Sequence, residues 1–269
     1  MNHIETKSLA IAYEDALIVN ELNLAIPTGK ITSIIGPNGC GKSTILKAIG
    51  RIIKKKAGVV YLNGSDINKL STREIAKKMA ILPQTPTAPN GLTVSELIAY
   101  GRFPHQKGFG KLKEEDKELI DWALNVTKLT EFQYREVDSL SGGQRQRVWI
   151  AMALAQQTEL ILLDEPTTYL DLAHQLEILE LLQQLNHTQN CTIAMVLHDL
   201  NLAARFSDYM VAISKGKIVR HGTAMEVLTP SVLKTVFQID AKIVIEENTQ
   251  RPICLTYNLI KENANDSFI

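Results

Sequence analysis

Residues 36–44 read GPNGCGKST and fit the pattern Gly-x-x-x-x-Gly-Lys-Ser/Thr in full. The apolar run ITSII precedes them, and Ile45, Leu46, Ile49, Ile52 and Ile53 follow at helical spacing, so the loop joins a strand to a helix. In that setting the glycines let the loop of Gly36, Pro37, Asn38, Gly39, Cys40, Gly41, Lys42, Ser43 and Thr44 turn its N–H groups, which Pro37 alone lacks, inward around phosphate oxygens, and the helix dipole adds partial positive charge. Lys42 is expected to reach the β- and γ-phosphates of ATP, and the Ser43 hydroxyl to ligate Mg2+. Cys40 sits beside a helix start, a setting that lowers a thiol pKa. Its other reading, a small space-filling side chain, is the one favoured.

More groups suited to this chemistry stand at the ends of apolar runs. MAILP leads to Gln84, ELILL to Asp164 and Glu165, and TIAMVL to His198. In a parallel sheet the carboxyl ends of the strands share one rim, where ligands bind. Asp164 is placed to hold Mg2+. Glu165 is placed to orient or deprotonate an attacking water, a role worth on the order of 10²–10⁴ in rate. Gln84 is a further candidate Mg2+ ligand, and His198 a hydrogen-bond partner of the γ-phosphate. Tyr13 reads equally as an edge tyrosine or as a platform for adenine.

The elements that must position these residues follow from periodicity. Residues 7–26 alternate apolar and polar through Leu9, Ile11, Tyr13, Leu17, Val19, Leu22, Leu24 and Ile26, which predicts short antiparallel strands with one buried face. From Lys30 onward, short all-apolar strands alternate with helical stretches, the mark of a mostly parallel sheet covered on both faces. That rhythm stops between about residues 85 and 157. There Leu119, Trp122, Ala123 and Val126 mark a helix and no strand is evident, so the segment reads as a helical insert. VAISKGKIVRHG predicts a hairpin turning at Lys215 and Gly216. RIIKKK at 51–56 reads as a solvated helix end. The chain is thus expected to be one α/β domain: 1–84 and 158–240 its core, 85–157 a helical subdomain, and 241–269 a polar tail of little period.

LSGGQRQR at 140–147 poses a separate question. Ser141 and Gln144 form a capping box for the helix whose Val148, Ala151, Met152 and Ala155 line one face. A cap does not need Gly142 and Gly143. Two glycines at a helix start bare the backbone to an anion. One chain cannot easily fold this distant helix over its own nucleotide, whereas a second copy placed head to tail can.

Taken together, the phosphate loop, LSGGQ, LILLDE and His198 resemble the ATP-binding cassette of ABC transporters, from about Ser8 to Phe237. The resemblance implies the P-loop NTPase fold with an N-terminal antiparallel β region. It implies that Tyr13 stacks on adenine, that Gln84 belongs to the Q-loop, that His198 is the switch histidine, and that Leu170 and Asp171 form the D-loop at a subunit boundary. It also implies a homodimer sandwiching two ATPs, with the helical insert gripping integral-membrane permease subunits. GRFPHQ after Gln84, and DEPTTYLD with Tyr169 where many cassettes carry a small residue, are similar to the importers of iron–siderophore complexes, haem and cobalamin. Within that group the likeness is greatest to the ferric hydroxamate uptake ATPases of Gram-positive bacteria, with GLTVSELIAYGRFPHQKGFG as its main carrier. An extracellular substrate-binding lipoprotein is then an indirect partner.

Bulk properties agree. The 269 residues carry 29 basic and 29 acidic side chains, so no global field favours nucleic acid, which is not expected as a partner. Cys40, Cys191 and Cys254 are scattered without metal spacing, as suits a reducing cytosol. Apolar runs are too short to cross a bilayer and the start has no signal-peptide layout. The expected location is the cytoplasmic face of a membrane, bound peripherally. Cassette ATPases that act on ribosomes or DNA usually carry paired cassettes or coiled-coil inserts, and neither is present. A GTPase would need a guanine-reading Asn-Lys-x-Asp pattern, also missing, and an ATP-gated scaffold would be expected to lack a residue such as Glu165 or His198.

Overall fold

The computed structural model describes residues 1–14, 16–106 and 111–260. The chain begins with a long strand β1 (Asn2–Tyr13), followed by β2 (Ala16–Leu22) and β3 (Ala25–Pro27), both antiparallel to it. After β4 (Ile31–Ile35) and helix α1 (Lys42–Ile49) come β5 (Ala57–Leu62) and β6 (Ser65–Asp66), which complete this sheet in the order β2-β1-β5-β6 with β3 also on β1. The strands β5 and β6 are absent from the sequence reading. So is the stop of α1 at Gly50. Arg51 adopts φ 56°, Ile52 is exposed, and the Arg51 guanidinium donates to the carbonyls of Ile67 and Leu70 at 3.2 and 2.7 Å. RIIKKK is therefore a tied turn between α1 and β5 and not a helix end in solvent. Leu17, expected on the buried face, is exposed, while Val19 and Leu22 are buried.

The second sheet holds the chemistry. Helix α2 (Thr72–Lys78) leads into β7 (Met79–Leu82). Past the insert come β8 (Leu160–Asp164), α6 (Leu172–Gln189), β9 (Thr192–Val196), α7 (Leu200–Phe206), β10 (Tyr209–Ser214) and β11 (Lys217–Gly222). The order is β11-β10-β4-β9-β8-β7, parallel throughout except for β11. Both faces are covered. Leu160, Leu162, Ala194 and Val196 pack toward α1 and the first sheet, while Ile161, Leu163, Ile193 and Met195 pack toward the helices opposite. This two-sided burial is why these strands read as unbroken apolar runs. Lys215 and Gly216 turn the β10–β11 hairpin with φ of 48° and 70°, as a two-residue loop with right-handed twist requires.

The insert is helical, with α3 (Val94–Ala99), α4 (Glu114–Val126) and α5 (Gly142–Ala155) joined by short 3-10 turns. On α4 the buried face is Ile120, Ala123 and Leu124, with Leu119, Trp122 and Val126 half-buried beside it. On α5 burial runs almost all the way round from Val148 to Ala155, with only Met152 half-exposed, because β7 and the other insert helices enclose it. The single-face reading of this helix is corrected accordingly. The KGFG end of the stretch that carries the narrower resemblance, 107–110, lies outside the described residues.

Beyond β11 the chain does not trail off. Helices α8 (Ala224–Val227) and α9 (Pro230–Phe237) precede an antiparallel hairpin of β12 (Ile239–Ile245) and β13 (Pro252–Leu259). Ala241 and Cys254 join the larger core cluster. The side-chain amide of Asn201 brackets the backbone of Cys254, donating to its carbonyl at 3.1 Å and accepting its N–H at 2.8 Å. The tail read as polar and of little period from Ala241 is thus, up to Ile260, a hairpin anchored on α7. Among the described residues no helix is long and apolar enough to cross a membrane.

Candidate nucleotide site

Four parallel strands deliver their ends to one rim, as the register of β4, β9, β8 and β7 requires. Glycine is needed in the loop after β4 for two different reasons. At Gly36 an added Cβ would lie 2.2 Å from the Ile213 carbonyl oxygen, so the backbone must pass close. At Gly39, with φ 76°, nothing lies within 4 Å, and the left-handed conformation itself demands glycine. Lys42 is buried and its ammonium donates to the carbonyls of Gly36 and Pro37 at 2.9 and 3.0 Å, holding the loop curled.

A cleft of about 540 Å3 opens over this loop. Asn38, Gly39, Gly41, Lys42, Ser43 and Thr44 of the loop line it, together with Tyr13 and Ile18 from the first sheet and Gln84, Glu165 and His198 from the strand ends. Tyr13 is about half exposed (47%), leaving its ring available to a planar ligand. Gly36 and Pro37 shape the loop from behind. Cys40 does not face the cleft. It is 5% exposed, and burial pushes its thiol pKa up against the opposing pull of Lys42. The helix-start argument for a lowered pKa fails because burial outweighs the dipole, and the space-filling reading stands.

Glu165 is the most constrained group in the cleft. Its backbone is left-handed, φ 55°, unusual for a non-glycine residue. One carboxylate oxygen accepts from Gln84 Nε2 at 2.5 Å and from the Thr168 hydroxyl at 3.1 Å; the other lies 2.6 Å from His198 Nε2. Thr168 escapes the sequence reading, although its place three residues after Glu165 in a tight turn is the kind of spacing that lets a hydroxyl bond back. Tyr169, also at positive φ (66°) and 93% exposed, lines the cleft beside it.

Asp164 lies beneath. Its Oδ1 accepts the Ser43 hydroxyl at 2.7 Å, whereas Oδ2 is buried without a partner. Burial pushes the Asp164 carboxyl above its ordinary value; Ser43 opposes this and the neighbouring Glu165 charge adds to it. An orphaned buried carboxylate oxygen beside a hydroxyl fits a small hard cation. Among the described residues there is no cluster of three His, Cys, Asp or Glu side chains able to hold a metal. The donor set is thus one carboxylate, one hydroxyl and, from Gln84, one amide oxygen. That matches Mg2+, which takes few protein ligands and completes its shell with water and phosphate.

The start of α5 is elsewhere. Ser141 caps it, accepting from the Gln144 N–H at 3.3 Å, while Gln144 Oε1 accepts the Ser141 N–H at 3.1 Å. Neither these residues nor Gly142, Gly143 or Asp171 line the cleft. Asp171 instead caps α6.

Comparison with known proteins agrees with this geometry. A family profile described as ABC transporter matches residues 19–168. The chain is 65% identical over 261 residues to the iron(3+)-hydroxamate import ATP-binding protein FhuC of Bacillus subtilis (strain 168), covering 97% of each. It is 42% identical to the ferric enterobactin transport ATP-binding protein FepC of Escherichia coli (strain K12), covering 92% of this chain and 91% of that one. Among solved structures, an inward-facing putative metal-chelate type ABC transporter superposes with TM-score 0.81 at 28% identity over 97% of this chain and 98% of that one. The dimeric cassette MJ0796 superposes at 0.73 with 32% identity, over 82% and 98%. With phosphate loop, buried aspartate, neighbouring glutamate and histidine meeting in one cleft, the chain belongs to the ABC transporter family, as one of its ATP-binding subunits.

Proposed function

We propose that this chain is the ATP-hydrolysing subunit of an importer of iron(III)–hydroxamate complexes, acting as a head-to-tail pair on the cytoplasmic face of a membrane. Its partners would be integral-membrane permease subunits and, indirectly, an extracellular substrate-binding lipoprotein. The observation that carries the reading is the convergence of Lys42, Ser43, Asp164, Gln84, Glu165 and His198 in one cleft. The nature of the cargo rests on the identity with FhuC along nearly the whole chain.

In this reading the phosphate loop and Lys42 hold the β- and γ-phosphates of ATP, and Tyr13 supports the base. Ser43, Asp164 and Gln84 hold Mg2+, which neutralises charge on the phosphate oxygens when bound. Glu165, aimed by Gln84, Thr168 and His198, orients a water and accepts its proton as the water oxygen bonds to the γ-phosphorus and the bond to ADP breaks. His198 donates to the γ-phosphate. Ser141, Gly142, Gly143 and Gln144 of a second copy close the cleft from outside, with Asp171 at the boundary. Two features support this outer closure. The Gly142 position has open space, with nothing within 4 Å of an added Cβ, and Tyr169 and Leu172 are exposed apolar groups beside Asp171.

The test is Glu165→Gln. With MgATP this variant should sediment as a stable dimer while turnover falls by roughly 10²-fold or more. Lys42→Ala should bind no nucleotide and stay monomeric. A Glu165→Gln protein that remains monomeric at saturating MgATP would refute the paired reading.

A further inference from the structure

The glycine pair at the start of α5 is not uniform. Beside Gly142 lies open space, but a Cβ on Gly143 would sit 2.9 Å from Cδ2 and 3.2 Å from Cγ of His174. At 143, then, a side chain would have to displace a neighbour inside the same chain. That neighbour is held firmly: the Asp171 carboxylate accepts the His174 backbone N–H at 2.9 Å and its Nδ1–H at 2.8 Å, turning the ring toward α5. One turn further along both helices, Arg147 pairs with Glu177, so the two helix starts are fixed by two successive rungs.

On its other side Asp171 belongs to the segment that starts at Glu165. Thr168 bonds the Glu165 carboxylate, and Gln175 Nε2 donates to the Leu170 carbonyl at 2.9 Å. These bonds and the backbone between them join the cleft carboxylate to His174, whose ring lies beside the first turn of α5. A helix that opens on two glycines has a soft backbone there and needs an external brace to hold its N–H groups in one direction.

We infer that His174 is a positioning residue: its imidazole braces the Gly142–Gly143 turn against the Glu165–Asp171 segment, so that a chain presents this turn to a second copy's nucleotide only when its own segment is in place. The inference rests on the paired reading above. It gives each chain a link between the site it forms with its own phosphate loop and the one it completes for its partner.

The experiment uses Glu165→Gln as parent and adds His174→Ala, His174→Asn, Gly143→Ala and the Gly143→Ala/His174→Ala pair. Sedimentation measures MgATP-dependent dimerisation, and a fluorescent ATP analogue measures affinity in dilute monomer. His174→Ala should weaken dimerisation about tenfold, within the usual span of inter-site couplings, and leave monomer affinity unchanged. His174→Asn restores the bond to Asp171 without the ring, so it should recover the parent's thermal midpoint and not its dimerisation. Gly143→Ala should cost less in the His174→Ala background than in the parent, because its methyl then meets no ring. Dimerisation of His174→Ala within about twofold of the parent, or strictly additive effects of the two substitutions, would overturn the role of His174 alone. A parent that fails to dimerise overturns the paired reading and this one with it.

Discussion

Asp164 illustrates how a residue can serve a site at the expense of the free protein. Its carboxyl pKa is raised by burial, so this group's contribution to stability is fully present below the ordinary aspartate range and is lost as pH rises through the folded-state value. The ionised form, with one buried oxygen unpartnered, is the costly one in the free protein. Asp164→Asn should therefore raise the melting midpoint of the nucleotide-free protein by about 2–4 °C, the shift expected for about 1 kcal/mol in a chain of this size. The same change should abolish the added stabilisation that Mg2+ gives over ATP alone, and a thermal melt in the four ligand conditions reads both effects. Residues such as Lys42, Ser43 and Asp164 were legible in the sequence because the chemistry demands particular side chains at fixed local spacing. Cys40 was not. Its burial comes from the close packing around Gly36 and Ile213, distant in sequence, which local spacing does not register. Thr168 and His174 escaped for another reason: each bonds a carboxylate only three residues back, Glu165 and Asp171, a spacing that becomes telling once the turn of each segment is known.

The elements of the helical insert are stapled to one another by a buried ion pair. Arg102 donates to Asp116 at 2.8 Å and to the Ala155 carbonyl at 2.7 Å, and the Lys113 N–H donates to Asp116 at 3.1 Å. Burial alone would push the Asp116 carboxyl up, yet Arg102 and Lys113 outweigh it and hold it below its ordinary value. Arg102→Met leaves that carboxylate without its partner and should cost about 3–5 kcal/mol in urea unfolding, whereas Arg102→Met combined with Asp116→Leu should recover most of the loss. Elements with one strong period, or with apolar runs closed by a polar group, were recoverable from sequence. Strand β5 was hidden by carrying the helical period of α1 on through Ile52 and Ile53, although GVVYL followed by Asn63 and Gly64 bears ordinary strand and turn signals. The β13 strand did carry a period-two signal, since Leu255, Tyr257 and Leu259 alternate with Thr256 and Asn258, but these apolar side chains are exposed and the hairpin owes its place to Ala241 and Cys254 packing on the core.

Across the whole molecule, parallel strand direction sorts the surface by task. The groups that would hold Mg2+ and the phosphates or act on the water, Lys42, Ser43, Gln84, Asp164, Glu165 and His198, stand in the loops beyond the carboxyl ends of β4, β7, β8 and β9, and the first sheet contributes Tyr13 and Ile18 to the cleft. Because the cargo never enters this cleft, its identity is tested at the level of the cell. Loss of the chain should abolish growth on ferric hydroxamate as sole iron source and spare growth on haem. A gene copy carrying Glu165→Gln should fail to restore it; undiminished hydroxamate-dependent growth of the deletion strain would rule out this cargo. All three thiols are buried, at Cys40, Cys191 and Cys254, and burial pushes each pKa up, that of Cys191 to about 12. Thiolate, the form that attacks maleimides, is therefore scarce at every native site. A single cysteine introduced at Tyr134, 81% exposed on the insert, can then carry a dye while the wild-type cysteines remain in place as silent background.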